Sequence, residues 1–522
     1  MKKNEQIDIY REIFSRNRKE VFLIDVGSGK EFTYGEVEES SLRAASFLRC
    51  LGVQKGDRVA FVLPNSIEYS ILYFACMQIG AAIVPINQRL QPGEIATLLS
   101  ESEPHILITT PVLHTYDAWR GGLQIVTIRP RYTADSKALH DEGVPSHDFW
   151  EEIKKERPIA KRSFEGIVDS DILAVIYTSG TTSRPKGVPI QFGRIARNGR
   201  MFARIQGIPP GVRFLGTFSQ GYLGGLYNTL LFQFFAEGSV VLDAGFDASV
   251  AFRFWETVQK FKVTALWPVP SMLSIILSLD RGKVGETYAR KHVKYVLTGT
   301  SPLTPTLRSA FENRYGVKLY ENFALSETFF ISSITPYLQD STGVGKIVPG
   351  CAVWILDEEG KECPIGVPGE IVVKSDYMAD GYFKNPEETA ARFRGGKFYT
   401  GDVGYIDSEG CLFITDRKKD IIIRGGINIS PREIEDVISA VKGVREVAVV
   451  GIPHAVSGEE VVAAVVAHHD VTEAVIKAAC SGTLAPFKVP SKVIFYKELP
   501  KSPTGKVQKH IIKDRIQNNV KK

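Results

Sequence analysis

Residues Tyr177 to Pro189 read YTSGTTSRPKGVP, and the rest of the chain is organised around them. The preceding LAVI, Leu173 to Ile176, is a short apolar run that reads as a buried strand. Thr178, Ser179, Gly180, Thr181, Thr182 and Ser183 then follow as an unbroken run of small hydroxyl and glycine residues. Such a segment lets backbone N–H groups converge on phosphate oxygens. Lys186 adds a cation on a flexible stem, and Val188-Pro189-Ile190 continues as an extended segment. A Walker A loop would need Lys after Gly at the opening of a helix. Here Lys186 precedes Gly187, so the loop is a phosphate cradle of another kind.

The whole chain sets the bounds. With 522 residues it is too long for one core and predicts two or more domains. An apolar content of 44% and a charged content of 24% are ordinary for a globular protein. A net charge of +5, dispersed along the chain, gives no case for nucleic acid. The six cysteines show no paired or metal-like spacing and read as reduced thiols of a cytosolic protein. The first twenty residues have no apolar core and are not a secretory signal. The longest apolar run, Ser70 to Ile86, is broken by Gln78, Gly80 and Pro85, so it predicts a helix and a buried strand, not a membrane span. Cytoplasm is the expected location.

Strand signals in RVAFVL, AAIVPIN, HILITT and LQIVTI alternate with a helix over Asn65 to Gln78, capped by Asn65 or Ser66. This predicts α/β layering with largely parallel sheet. Arg129 to Ser170 is polar and reads as irregular surface. Ser239 to Leu242, Phe252 to Phe261 and Val263 to Trp267 predict strand, helix, strand. Glu370 to Val373 and Phe413-Ile414 suggest a β-rich lobe. Near residue 416 the character changes, through DRKKD and IIIRGG to the helical SPREIEDVI. The expected organisation is a large N-terminal domain of layered α/β sheets plus the β-rich lobe, residues 1–415. A small mobile α+β domain, residues 416–522, follows.

The 177–189 stretch resembles the phosphate loop of the adenylate-forming superfamily, which includes acyl-CoA synthetases, nonribosomal adenylation domains and firefly luciferase. The usual form is (Y/F)-T-S-G-T-T-G-x-P-K-G-V, and Ser183 stands where Gly is usual. Four further stretches match in order, so the resemblance covers nearly the whole chain. LTGTSPL, Leu297 to Leu303, resembles a segment beside the nucleoside and implies that Gly299 and Thr300 pack on adenine. YENFALSET, Tyr320 to Thr328, resembles Y-G-x-T-E. Within it the resemblance gives Asn322 and Phe323 to the nucleoside, Ser326 to the α-phosphate and Glu327 to Mg²⁺, with Ala324 lining the acid pocket. YTGDVGYID, Tyr399 to Asp407, implies that Asp402 accepts bonds from the ribose hydroxyls, with Arg417 beside it and a hinge at Lys419. LPKSPTGKVQK, Leu499 to Lys509, implies that Lys506 bridges the substrate carboxylate and the α-phosphate. Gly425 and Gly426 fit a segment lining a pantetheine tunnel.

The implied activity joins a small carboxylic acid to the thiol of coenzyme A. ATP, with Mg²⁺, activates the acid as acyl-AMP with release of pyrophosphate, and a thiol then expels AMP. A free-standing enzyme loading a carrier-protein phosphopantetheine is the alternative, and a homodimer is left open. A non-catalytic nucleotide-binding relative would be expected to lack Lys506, Glu327 or Asp402, and all three are present. The acid pocket is the least legible part. Tyr222 replaces a usual His in the segment Gly221 to Leu226, which contains Gly225, and Trp267 is another wall candidate. No Asp accompanies Tyr222 to receive an α-amine, and Asp247 in FDAS reads as a helix cap. An amino-free, medium-chain or aryl acid is the expected substrate.

Overall fold

A computed structural model describes residues 5–111, 122–134, 146–159, 164–178, 185–338, 343–454, 457–501 and 506–520. Two large sheets form the N-terminal part. The seven-stranded one runs His147–Asp148, Gln124–Arg129, Ile106–Thr109, Arg58–Val62, Ala82–Pro85, Ile172–Thr178, Lys186–Gln191 in spatial order. All its neighbours are parallel except the last pair, where Thr178 lies opposite Lys186. The nine-stranded sheet is parallel from Val21–Asp25 through Leu319–Leu325 and antiparallel at both edges.

Ile67–Ile79 is a helix with every residue buried. A helix apolar on all sides can only be a core helix or a membrane span. Here Ser66 caps its start, left-handed Gly80 ends it, and its side chains share one core with strands of both sheets. Among the described residues, no helix is long and apolar enough to cross a membrane.

Two expectations are corrected. The stretch 129–170 is not simply irregular surface, because Phe149–Lys155 is a helix capped by Asp148, and Phe149, Ile153, Phe164 and Ile167 are buried. Its apolar residues are spaced along one helical face, a signal that the surrounding charges hide. The helix expected over Phe252 to Phe261 is two short helices, Ala248–Phe252 and Phe254–Lys260, broken at Arg253, which turns its guanidinium onto buried Asp243. Asp247 caps the first of them through the Val250 amide.

The β-rich lobe is antiparallel and pairs Lys397–Ile406 with Leu412–Arg417. The next strand, Ile422–Arg424, already belongs to a different five-stranded sheet. That C-terminal sheet is apolar on both faces. Val449, Val461, Ala463 and Val465 pack against Pro431–Ser439 and Glu473–Thr483, while Ala448, Val450, Val462 and Ala464 face Lys509–Val520. Alternation of period two, with helices on both sides, explains the continuous apolar run EVVAAVVA.

Candidate nucleotide and acid site

The phosphate-loop stretch lies between the antiparallel strands Ile172–Thr178 and Lys186–Gln191. Ser179, Gly180, Thr181, Thr182 and Ser183 lie outside the described residues. Lys186 is only 6% exposed and forms an ion pair with Glu388. Its Nζ also stands 5.5 Å from the centre of the Tyr382 ring. The Tyr382 hydroxyl in turn donates to Glu327 Oε1 at 2.8 Å. Burial first, and then the Glu327 carboxylate, raise the Tyr382 pKa, so the phenol stays protonated and remains a donor.

Glu327 sits in the turn between strands Leu319–Leu325 and Phe329–Ser333, together with Ser326. Its carbonyl accepts from the Ala379 amide at 2.8 Å, which ties this turn to the segment carrying Tyr382. With Oε1 engaged, Glu327 offers one further carboxylate oxygen. That donor set fits a magnesium ion, which typically takes one or two carboxylates and completes its shell with water and phosphate oxygens. Among the described residues there is no cluster of three acidic, histidine or cysteine side chains that would make an all-protein metal cage.

The nucleoside candidates lie along the strand ends. The Asn322 amide donates to the Thr298 carbonyl at 2.7 Å, and Gly299 is buried against Asn322. Thr300 is exposed with φ of 71°. A β-branched residue in the left-handed region is an outlier of the sort that clusters at ligand sites. A bulge separates Phe323 from Ala324. Phe323 is 8% exposed and packs with Ile331, Val344, Ile355 and Ile371, so it is a core residue of the lobe more than the open stacking platform expected. The bulge turns Ala324 towards Phe330 instead.

Asp402 and Arg417 are register partners on the two lobe strands, and Arg417 Nε donates to Asp402 Oδ1 at 2.8 Å. Asp402 is 3% exposed, and its Oδ2 has no hydrogen-bond partner among the described residues. Burial raises its pKa, against the opposing pull of Arg417, Lys506 and Arg392. A buried carboxylate oxygen left unpaired is costly, and two ribose hydroxyls would satisfy it.

Lys506 comes from the other end of the chain and stands within electrostatic reach of Arg417, Asp402 and Glu327. It keeps solvent-accessible surface, yet protein packed about its ammonium and then Arg417 lower its pKa, with Asp402 and Glu327 pulling the other way. The C-terminal unit is held in this position by a second set of contacts. Ser430 Oγ and the Arg432 amide both donate to the buried Asp416 Oδ2, at 2.8 and 3.2 Å, and the Arg432 guanidinium donates to the Ile414 carbonyl at 2.7 Å. Lys509 pairs with Glu435 at 2.7 Å. Lys419 is exposed just past the Asp402–Arg417 pair, with its pKa lowered by burial first and then by Arg417 and Lys509, partly opposed by Asp420 and Asp402. Gly425 and Gly426, with φ of 60° and 80°, form the exposed two-residue turn joining Arg424 to Ile427. Two positive φ values in succession are what such a hairpin turn requires, and glycine supplies them without strain.

The acid-pocket candidates divide. Ala324 and buried Trp267 both meet Phe330, Ala324 as its register partner and Trp267 in a ring stack, while half-buried Tyr222 stands edge-on to Phe218 at 6.2 Å. Trp267 itself is inside a stack with Phe202 and Phe330, at ring separations of 5.9 and 5.8 Å, and Phe202 lies 3.6 Å from Phe330. It is therefore packed into the core, 5% exposed. Gly225 is also turned away, because a Cβ there would come within 2.0 Å of the Ser219 carbonyl oxygen. Its role is to let the helical turn Gly224–Leu231 approach the backbone at 219–220.

Three residues of the cluster escaped the sequence reading: Tyr382, Glu388 and Arg392. Arg392 Nε donates to Glu388 Oε1 at 3.3 Å, and its Nη1 reaches the Tyr399 carbonyl at 3.4 Å. NPEET and the i, i+4 spacing of Glu388 and Arg392 signal a capped helix with a surface ion pair. Nothing local connects that helix to Lys186, 202 positions away.

Comparison with known proteins agrees with this geometry. Residues 11–383 match the family described as AMP-binding enzyme, and 433–506 match the AMP-binding enzyme C-terminal domain. The chain is 31% identical over 510 residues to the long-chain-fatty-acid–CoA ligase FadD13 of Mycobacterium tuberculosis, covering 96% of each. It is 30% identical over 500 residues to a sulfoacetate–CoA ligase of Cupriavidus necator, covering 94% of this chain and 93% of that one. Among solved structures, ATP-bound MatB from Rhodopseudomonas palustris superposes with a TM-score of 0.87 at 28% identity, covering 98% of both chains. The chain belongs to the AMP-binding enzyme family, the adenylate-forming superfamily, with both its large N-terminal and smaller C-terminal domains.

Proposed function

We propose that this protein is an ATP-dependent acid–CoA ligase that forms an acyl-adenylate and then an acyl-CoA thioester. The observation that carries the reading is the convergence of Lys506, from the C-terminal unit, with Asp402, Arg417 and Glu327 of the large one. Separate segments thus bring two cations and two carboxylates within electrostatic reach of one another, and Asp402 Oδ2 has no hydrogen-bond partner among the described residues.

A free carboxylate is a poor electrophile, since its leaving group would be oxide. Attack of its oxygen on the α-phosphorus of ATP expels pyrophosphate and leaves AMP as a good leaving group. Such a step depends on positioning and charge neutralisation. In this reading Asp402 and Arg417 orient the ribose, and Gly299, Thr300 and Asn322 border the base. Thr178, Ser326 and Lys186 meet the phosphates, and Lys506 holds the acid oxygen against the α-phosphate. Magnesium on Glu327 would neutralise phosphate charge. The thiol then adds to the acyl carbonyl and AMP departs, with the thiol proton lost to solvent. Lys506 is needed only in the first step, so the C-terminal unit beyond Lys419 would turn about that hinge to bring Gly425-Gly426 to the thiol path, while Arg417 stays with Asp402 on the lobe strands. Such a two-position domain is a recognised way to serve two steps with one cleft.

The acid is proposed to be amino-free and of medium-chain or aryl type. Ala324 is the register partner of Phe330, which stacks with Phe202 and Trp267, and Tyr222 packs against Phe218, so the candidate walls are apolar. The acidic candidate raised by the FDAS motif, Asp247, is spent on the Ser249 hydroxyl and the Val250 amide. Pyrophosphate release, measured across a panel of acids with CoA or carrier protein as acceptor, tests the proposal. Turnover with CoA supports it; turnover only with a carrier protein would transfer the assignment to carrier loading. Silence with every acid would refute it.

A further inference from the structure

Lys186 is a buried ammonium, and a buried charge needs a partner. Its ion-pair partner is not a phosphate-loop group but Glu388, the third residue of helix Pro386–Arg392. If Lys186 meets a phosphate, as proposed above, the Glu388 carboxylate competes for the same ammonium. Glu388 is moreover shared: Arg392, one helical turn on, donates to the same oxygen. Lys186 can therefore be withdrawn without leaving Glu388 unpaired. Both helix side chains are partly open to solvent, which gives the carboxylate room to swing outward. The Tyr382 ring also turns a face to the Lys186 ammonium, 5.5 Å from its centre.

From this arrangement we propose that Glu388 is a gate on the phosphate subsite, a carboxylate that neutralises Lys186 while phosphate is absent, yields it to the incoming triphosphate, and reclaims it as pyrophosphate leaves. The gate rests on reading the cleft as a nucleotide site. Burial works against the Glu388 carboxylate, but Lys186 and then Arg392 outweigh it and hold its pKa below the ordinary value, so the gate is charged at neutral pH. A competing internal anion lowers the apparent affinity of every ligand that must take Lys186, in proportion to the fraction of time the lysine is free. It also speeds their release. Ligands that do not reach Lys186 are unaffected. Glu388 is thus a positioning residue that sets phosphate affinity and product release, not a catalytic residue.

The test is calorimetric titration of wild type, Glu388→Gln and Glu388→Ala with ATP, pyrophosphate and AMP. The expected result is tighter binding of ATP and pyrophosphate by about tenfold in both variants, AMP affinity unchanged, and stronger product inhibition by pyrophosphate in turnover. Weaker ATP binding in the variants would overturn the gate and make Glu388 a support that aims Lys186 at phosphate. Parallel changes for all three ligands would also overturn it, since AMP carries no phosphate that reaches Lys186. Failure of the wild type to bind ATP or pyrophosphate would overturn the nucleotide reading, and the gate with it.

Discussion

Replacing Asp402 by Asn probes the nucleoside end of the cleft. In the structure Oδ1 is engaged by Arg417 at 2.8 Å, and Oδ2 is buried without a hydrogen-bond partner among the described residues. Asn keeps one acceptor and turns the other oxygen into a donor. The variant therefore loses one hydrogen bond from a ribose hydroxyl to a charged acceptor, about 1.5–3 kcal/mol. That converts to a dissociation constant raised about 10- to 150-fold for ATP and AMP alike. Pyrophosphate, which has no ribose, should bind as before. Stability should move the other way or not at all, because the change removes a desolvated charge while Arg417 can resolvate. The pH dependence has a definite sign. The Asp402 pKa is raised in the fold, so its contribution to stability is present at low pH and is lost as pH rises from the ordinary value of about 3.9 through the raised one. Wild type should lose stability relative to Asp402→Asn across that window, while its affinity for AMP rises there as the carboxylate ionises. Titration calorimetry and a pH series of thermal melts read both quantities. Unchanged ATP binding by the variant, or equal weakening of ATP and pyrophosphate, would refute the assignment.

Phe330→Ala opens the stack behind Ala324 and should cost about 3–5 kcal/mol of stability. It should also shift kcat/KM towards bulkier or longer acids, measured on a homologous acid series with melting curves alongside; an unaltered preference would remove Phe330 from the pocket wall. Gly225→Ala drives a methyl into the Ser219 carbonyl, 2.0 Å away. A loss of about 1–3 kcal/mol, with an overpacked backbone as its cause, should appear in denaturant melts together with reduced acid turnover.

The α/β layering could be read from strand and helix periodicity because each signal is local. The helix expected over Asn65 to Gln78, capped by Asn65 or Ser66, runs from Ile67 to Ile79 with Ser66 as its cap. Phe149–Lys155 was missed since three acids and three basic residues in FWEEIKKER conceal its few apolar contacts. Within the site, Asp402, Glu327 and Lys506 were legible only through ordered motifs, and the structure brings their surroundings together. The partners of Lys186 were not legible, because an ion pair across 202 positions leaves no periodic trace in either segment. Phe323 was expected at adenine through its motif and Trp267 as an acid-pocket wall; their 8% and 5% exposure, set by packing across strands far apart in sequence, was not legible.

The central claim is that Lys506 completes the adenylation site from the C-terminal unit and is dispensable afterwards. Lys506→Ala should be assayed in two half-reactions, pyrophosphate exchange from acid and ATP, and thioester formation from supplied acyl-AMP and CoA. Loss of one charged donor at the reacting centre predicts an adenylation rate lower by about 10²–10³, with thioester formation largely intact. Equal loss of both half-reactions would contradict the account.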